Sequence, residues 1–296
     1  KLVMPPFHKK SVEGYRDAIV DLTTQLLGIW RHNEQRDIWR DMQALALRIS
    51  STILFGGSDP EETGRIGHMI EEWLAMCFSR RVWFFQVNVP GTPYRRLLNH
   101  AEQLEARIRE MIDRRRRDGA DGNDVLSILI RARDEEGSAM TEDELIGQAN
   151  VLFTAAHETN TSALTWTLFL LSQHPGIMAD LLDELDGNLR GEAPRIDQLD
   201  RLSLLERVIK ESLRLLPPVV WSTRIADQPV QLGPYRLEKG SRVLYSQYMT
   251  HHLAELYPNP ERFDPDRWLS DEPSPYAYLP FGAGPRTCIG YAFSMT

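Results

Sequence analysis

The residues with the clearest chemical potential lie in one loop near the end of the chain, Phe-Gly-Ala-Gly-Pro-Arg-Thr-Cys-Ile-Gly, residues 281–290. Gly282 and Gly284 can adopt positive φ angles, so backbone N–H groups can turn toward the sulfur of Cys288 and stabilise a thiolate. Arg286 offers a bidentate fork to a carboxylate beside that thiol. Because a lone cysteine is usually an inert loop residue, the prediction of a functional thiol rests on the spacing of the whole loop.

This loop resembles the cysteine-ligand loop of the cytochrome P450 family, F-x-x-G-x-R-x-C-x-G, and matches every fixed position. The resemblance implies that the Cys288 thiolate is the axial ligand of the iron in haem b, where it favours O–O bond cleavage. It also implies that Arg286 binds a haem propionate. The remaining haem contacts implied for this loop are Phe281, Gly282, Ile289 and Gly290.

The family also has an E-x-x-R pair on an upstream helix, and Glu211 and Arg214 fit it. Spacing i to i+3 places both side chains on one helix face, where a buried carboxylate and guanidinium can satisfy each other. The resemblance implies that Arg267, in Pro-Asp-Arg-Trp at 265–268, is the third partner, and that Arg224 reaches a haem propionate. A plain surface charge is the alternative for Arg267.

Polar residues interrupt the most apolar segment, 149–171, and resemble the family's central-helix pattern A/G-G-x-D/E-T-T. They read Ala155, Ala156, His157, Glu158, Thr159, Asn160. The small side chains at 155 and 156 let a helix approach haem, and a threonine hydroxyl can bond back to the preceding turn. The resemblance implies that Glu158 and Thr159 deliver protons for oxygen activation. The plain alternative is a core hydroxyl at Thr159 and a satisfied buried histidine at His157.

Helices must position most of these residues, because apolar residues recur at helical spacing through much of the chain. The segments concerned are 12–29, 38–55, 66–78, 97–112, 125–130, 141–173 and 201–216. Asp59 followed by Pro60 predicts one helix start, and Thr141 with Glu144 predicts a capping box at another. The extended runs 230–237 and 242–248 predict a small antiparallel sheet. His251 and His252 are expected in a loop or at the surface.

Composition places the protein among ordinary globular chains. Its 296 residues carry a formal charge of −8, which argues against a nucleic-acid binder. Two cysteines, Cys77 and Cys288, are too few for a disulfide framework and fit a reducing compartment. No signal peptide or membrane anchor is visible, so we expect a cytoplasmic protein.

The predicted fold class is mainly α, a helix-rich cytochrome P450 fold with small antiparallel β-sheets, incomplete at both ends. Residues 1–296 are expected to form one haem-thiolate domain. Its parts are a helical part at 1–216 that includes the distal helix at about 141–173, a small β-sheet region at 217–256, and an irregular segment with the cysteine loop at 257–296.

The resemblance implies a monooxygenase that inserts one atom of O2 into an apolar substrate. Electrons would come from ferredoxin with ferredoxin reductase or from a flavoprotein reductase, so that NAD(P)H acts only indirectly. A peroxide-using or isomerising member of the fold, or a truncated chain without turnover or without haem, remains an alternative. Residues proposed to touch substrate are Val151, Leu152, Val219, Val220 and Trp221.

Overall fold

The computed structural model describes residues 2–7, 9–56, 59–119, 121–269 and 273–295. Its secondary structure is predominantly helical with two small antiparallel sheets, which confirms the predicted fold class. The helices are α1 (Lys9–Glu13), α2 (Arg16–Gly28), α3 (Ile38–Phe55), α4 (Pro60–Cys77), α5 (Arg80–Phe84), α6 (Pro93–Arg117), α7 (Val125–Arg131), α8 (Glu142–Gln173), α9 (Pro175–Leu189), α10 (Ile196–Leu199), α11 (Ser203–Leu215), α12 (Gln247–His251) and α13 (Tyr291–Ser294). Short 3-10 helices occupy Pro5–Phe7, Pro265–Leu269 and Gly284–Arg286.

The chain is organised as two compact units, Lys1–Thr161 together with Ile289–Thr296, and Ser162–Cys288. Helix α8 begins in the first unit and ends in the second. The assignment of residues 1–296 to a single haem-thiolate domain stays a prediction. No helix in the described part of the chain is both long enough and apolar enough to cross a membrane.

The core of the first unit is a cluster of buried side chains from α3, α4, α6, α7 and α8. Its largest fully buried members include Phe55, Ile66, Ile70, Ile108, Ile112, Leu126, Leu129 and Phe153. The rings of Phe55 and Phe153 stack with their centroids 6.1 Å apart. Helix α4 approaches α3 closely at Gly67, where an added methyl group would collide with Ser51 Oγ and lie 3.1 Å from Phe153.

Capping residues determine where two of these helices begin, as predicted. The Asp59 carboxylate accepts a hydrogen bond from the Glu62 N–H over 3.0 Å at the start of α4. At the start of α8, the Glu144 N–H donates to Thr141 Oγ1 over 3.2 Å, and the Thr141 N–H donates to Glu144 Oε2 over 2.8 Å. The predicted helix over 12–29 is instead divided into α1 and α2 at Gly14, because glycine is a poor helix former.

The second unit has its own core, formed by α8, α9, α11 and the segment after α12. Its buried members are Leu170, Leu171, Leu181, Val208, Leu215 and Phe263. Two antiparallel pairs lie between α11 and α12: β1 (Ser222–Ile225) pairs with β4 (Arg242–Tyr245), and β2 (Val230–Leu232) with β3 (Tyr235–Leu237).

The strand pairing differs from the simple sheet predicted from runs 230–237 and 242–248. The first run folds back on itself, because Gly233, with φ +56°, and Pro234 form its turn. The second run ends at Tyr245 and pairs with β1, a strand that the sequence pattern does not reveal. This pairing places Arg224 opposite Val243, on a short two-stranded ribbon.

Candidate functional site

The cysteine loop closes on itself through backbone hydrogen bonds. The Cys288 N–H donates to the Phe281 carbonyl over 2.8 Å, and the N–H and Oγ1 of Thr287 donate to the Gly284 carbonyl over 3.0 and 2.7 Å. Gly282 and Gly284 have φ angles of +71° and +73°, as predicted, and a side chain at either position would cost about 1–2 kcal/mol. The loop therefore holds its shape with its own backbone and leaves the free thiol of Cys288 exposed.

The residues on either side of the thiol also have defined positions. Phe281 and Gly282 are half-buried at the start of the loop. Ile289 and Gly290 are half-buried after it, and Gly290 is the N-cap residue of the short helix α13. A short helix thus starts directly after the cysteine loop.

The two arginines predicted to bind carboxylates lie in different local settings. Arg224 is exposed on β1, its guanidinium lies 5.3 Å from the ring centroid of Tyr245, and its Nη1 donates to the Thr223 carbonyl. Arg286 is exposed at the end of the 3-10 turn inside the cysteine loop. Within the described residues, neither guanidinium forms an ion pair with a protein carboxylate. Both are therefore available to an anionic ligand.

Helix α8 presents the residues around Thr159 on two faces. The Thr159 hydroxyl donates to the Ala155 carbonyl over 2.5 Å, which is the predicted bond to the preceding turn. Ala155 is exposed and Ala156 half-buried, so this face carries little side-chain bulk. His157 lies on the opposite face with 1% of its surface exposed, and its Nε2 is 3.4 Å from the Gln43 carbonyl. His157 is therefore a satisfied buried histidine, as the plain alternative has it.

Glu158 lies beside this buried histidine but keeps contact with solvent. Its side chain is 43% exposed, and its Oε1 is 3.9 Å from His157 Nδ1. It borders a cleft of about 660 Å³ next to α4. The cleft is polar on one side, where Gln43 Nε2 donates to Glu71 and His68 Nδ1 lies 3.4 Å from the same carboxylate. A solvent-connected cleft thus reaches the Glu158 carboxylate.

Glu211 and Arg214 form a fully buried ion pair on α11. Arg214 Nε and Nη2 donate to the two Glu211 oxygens, each over 2.9 Å. Arg267, the predicted third partner, donates from Nε to Glu211 Oε1 over 3.3 Å. A buried charge pair is tolerated only when its remaining polar atoms are also satisfied, and this pair meets that condition through the further partners below.

Several partners of this pair escape prediction from the sequence pattern. Trp268 Nε1 and the Asp264 N–H each donate to Glu211 over 3.0 Å, and Arg214 Nη1 donates to the His251 carbonyl over 2.8 Å. The expectation that His251 lies in a loop or at the surface is wrong, because it ends α12 with no exposed surface. The half-buried Trp268 signals in the sequence only that its indole N–H needs an acceptor, and not which residue supplies it.

The residues proposed to touch substrate are apolar and mostly exposed. Val151 on α8 is 61% exposed, whereas Leu152 is half-buried and packs against the core of the first unit. In the second unit, Val219, Val220 and Trp221 form an exposed segment between α11 and β1. Ser246 Oγ holds the Val220 carbonyl of this segment over 2.7 Å. Their contact with substrate stays a prediction.

Comparison with known sequences points to the same family as the cysteine loop and the buried Glu211–Arg214 pair. The family model described as Cytochrome P450 matches residues 1–296. The chain is 34% identical over 303 residues to a cyclooctat-9-en-7-ol 5-monooxygenase of Streptomyces melanosporofaciens, and 32% identical over 301 residues to a pentalenene oxygenase of Streptomyces avermitilis. These alignments cover 100% of this chain and 66% and 67% of the relatives. The chain therefore spans about two thirds of the length of the curated relatives it matches.

Solved structures show the same fold. Retinoic acid-bound cyanobacterial CYP120A1 matches with a TM-score of 0.88 at 27% identity, over 99% of this chain and 67% of that chain. The haem domain of cytochrome P450DA gives a TM-score of 0.88 at 27% identity, over 99% and 66% of the two chains. With the family match over its whole length and relatives above 30% identity, this chain belongs to the cytochrome P450 family.

Proposed function

We propose that this protein is a haem-dependent monooxygenase that inserts one oxygen atom of O2 into an apolar organic substrate. The observation that carries the proposal is the exposed free thiol of Cys288 in a self-bonded loop with every fixed residue of the family's ligand loop. Two of the relatives carry the names of a monooxygenase and an oxygenase, which supports the same reaction class.

The residues present fit haem as the cofactor that family membership implies. One thiol is exposed for an axial bond, and two arginines without carboxylate partners in the described chain, Arg224 and Arg286, suit two propionates. The side chains of Ala155 and Ala156 on α8 are small enough to let a haem ring approach the helix. Cys288 is the proposed protein ligand of the iron, because its exposed thiol stands at the cysteine of the family's ligand-loop pattern.

When bound, haem supplies the iron that binds and reduces O2, and a thiolate ligand favours O–O cleavage. The protein's own task is then to hold and move protons. Thr159 Oγ1 donates its hydrogen to the Ala155 carbonyl, which leaves the oxygen lone pairs free to accept a bond from water. The half-exposed Glu158 carboxylate can exchange protons with solvent through the cleft beside α4. Together they form the proposed proton-delivery pair.

We propose an apolar substrate because the proposed contact residues, Val151, Leu152 and 219–221, are themselves apolar. The relatives named for cyclooctat-9-en-7-ol and pentalenene point to carbocyclic alkenes and alkenols as the compounds to test first. Electrons are proposed to come from ferredoxin with its reductase or from a flavoprotein reductase, with NAD(P)H as the indirect source. A cytoplasmic location is part of the same proposal.

The chain offers its own control for a test of the thiolate ligand. Cys288→Ser should abolish the red-shifted Soret band that a thiolate-ligated haem shows after reduction and CO binding. Cys77→Ser should leave the band unchanged, because Cys77 is half-buried on α4 and burial raises the pKa of its thiol. A band that survives Cys288→Ser overturns the proposal. Turnover with peroxide alone, and none with a reductase system, would favour a peroxide-using enzyme.

A further inference from the structure

Residues 277–279, just before the cysteine loop, each form a hydrogen bond to the buried region around Arg214. The Tyr257 hydroxyl donates to the Ala277 carbonyl over 3.1 Å. The Tyr278 hydroxyl donates to the Lys210 carbonyl over 3.0 Å. The Leu279 N–H donates to Nε2 of His251 over 2.8 Å. The last of these bonds is made by an imidazole, a group that can be in either of two tautomers or protonated.

Both ring nitrogens of His251 have partners that determine where its proton lies. A peptide N–H can only donate, so Nε2, which receives the Leu279 N–H, carries no hydrogen. Nδ1 lies 3.1 Å from the carbonyl oxygen of Arg214, which can only accept, so Nδ1 carries the hydrogen. The surroundings therefore select the neutral Nδ1–H tautomer.

Four charged or titratable groups face this ring, and the charges of Arg214 and His252 favour the same neutral form. They are the Arg214 guanidinium, which donates to the His251 carbonyl, the neighbouring His252, and the phenols of Tyr257 and Tyr278, whose ring centroids lie 6.4 and 5.6 Å away. Burial, together with the charge of Arg214, lowers the pKa of His251 to about 4. At neutral pH, Nε2 is thus free to accept.

Two further hydrogen bonds connect Leu279 to the thiol residue. The Leu279 carbonyl accepts the Gly282 N–H over 3.0 Å, where the chain turns with positive φ. The Phe281 carbonyl accepts the Cys288 N–H over 2.8 Å. Both backbone polar groups of Leu279 are therefore hydrogen-bonded, the N–H to His251 and the carbonyl to Gly282 in the loop.

We propose that His251, as its neutral Nδ1–H tautomer, is a positioning residue that fixes the cysteine loop by accepting the Leu279 N–H while donating to the Arg214 carbonyl. The bond to Leu279 determines where the loop begins, and the bond to Arg214 orients the ring. The link to iron binding rests on the proposed function, because it requires Cys288 to be the ligand.

Two variants separate the two hydrogen bonds of the ring. In His251→Gln, the side-chain oxygen can replace Nε2 as the acceptor for Leu279. In His251→Asn, the amide can replace the Nδ1–H donor to Arg214 but is too short to reach Leu279. Amide hydrogen exchange at Leu279 should be on the order of tenfold faster in His251→Asn than in the native protein, and close to native in His251→Gln. The thiolate-type Soret band of the reduced CO complex should weaken in the same order.

His252→Asn is the matched control, because the His252 ring bonds to the Tyr248 carbonyl rather than to the loop segment. It should leave exchange at Leu279 unchanged. Equal exchange at Leu279 in His251→Gln and His251→Asn would overturn the proposal. If His251→Asn does not fold, the native protein and His251→Gln still decide: acidification toward pH 4 should lower the protection of the Leu279 N–H, which is its intrinsic exchange rate divided by the observed rate, in the native protein and not in His251→Gln. Failure of the proposed function is a separate result, seen as a Soret band unaffected by Cys288→Ser.

Discussion

The Glu211 carboxylate accepts two hydrogen bonds of 2.9 Å from the Arg214 guanidinium, and neither side chain has any exposed surface. Glu211 also accepts bonds from Arg267, Trp268 and the Asp264 N–H. Removing one member of a buried pair leaves an uncompensated charge, which costs far more than the pair itself contributes. The position of the chain after α12 is therefore fixed by hydrogen bonds to one face of α11.

Glu211→Gln should lower the free energy of unfolding by about 3–5 kcal/mol, because the Arg214 charge would stay buried without its counter-ion. The matched control is Glu206→Gln on the same helix, whose exposed carboxylate pairs with Lys210 over 2.8 Å. This change should cost about 0.5 kcal/mol or less. Urea unfolding followed by circular dichroism measures both, and similar losses in the two variants would contradict the prediction.

Gly67→Ala should lower the free energy of unfolding by about 1–3 kcal/mol, because the added methyl group overpacks the approach of α4 to Ser51 and Phe153. Gly64→Ala lies one turn earlier on the same helix and meets no atom within 4 Å. It should stabilise the protein by about 0.5–1 kcal/mol, since alanine loses less backbone entropy on folding. Thermal unfolding of both variants checks the opposite signs, and a shared sign would refute the packing argument.

The stability should depend on pH through His251. Its pKa is about 4 in the folded protein against 6.5 when exposed, so between these values the unfolded chain binds a proton that the folded protein does not. The stabilisation is complete above pH 6.5 and is lost as the pH falls to 4, by up to about 3 kcal/mol. The native protein should therefore lose more unfolding free energy than His251→Gln when the pH is lowered from 7 to 4.5. The difference in unfolding free energy between the two proteins should be smaller at pH 4.5 than at pH 7. A constant difference would show that this ring does not titrate.

Thr159→Ala should reduce the product formed per O2 consumed by on the order of tenfold, because the hydroxyl oxygen that accepts a bond from water in the proposed proton route is removed while substrate binding is retained. Thr159→Ser keeps the hydroxyl and should restore coupling. Thr161→Ala is the control on the same helix: its hydroxyl makes the equivalent bond to the His157 carbonyl over 2.9 Å but is buried. Product yield and O2 uptake measured together test this, and unchanged coupling in Thr159→Ala would remove Thr159 from the proton route.

The sequence by itself determines those features that depend on neighbouring residues. The starts of α4 and α8 follow from Asp59 and Thr141, whose side chains cap N–H groups three residues away. The positive φ angles in the cysteine loop follow from its two glycines. The i to i+3 spacing of Glu211 and Arg214 already places them on one face of a helix.

Only the tertiary structure decides which distant atoms complete these local patterns. No local signal pairs β1 with β4 across 16 intervening residues, or brings Trp268 to Glu211. His251 is the sharpest case, because a histidine before a loop has the same sequence pattern at the surface and in the core. Packing against Arg214 and Leu279 buries it and selects its tautomer. The physical reason is that burial and long-range hydrogen bonds are properties of the folded chain, whereas capping and backbone freedom belong to a few consecutive residues.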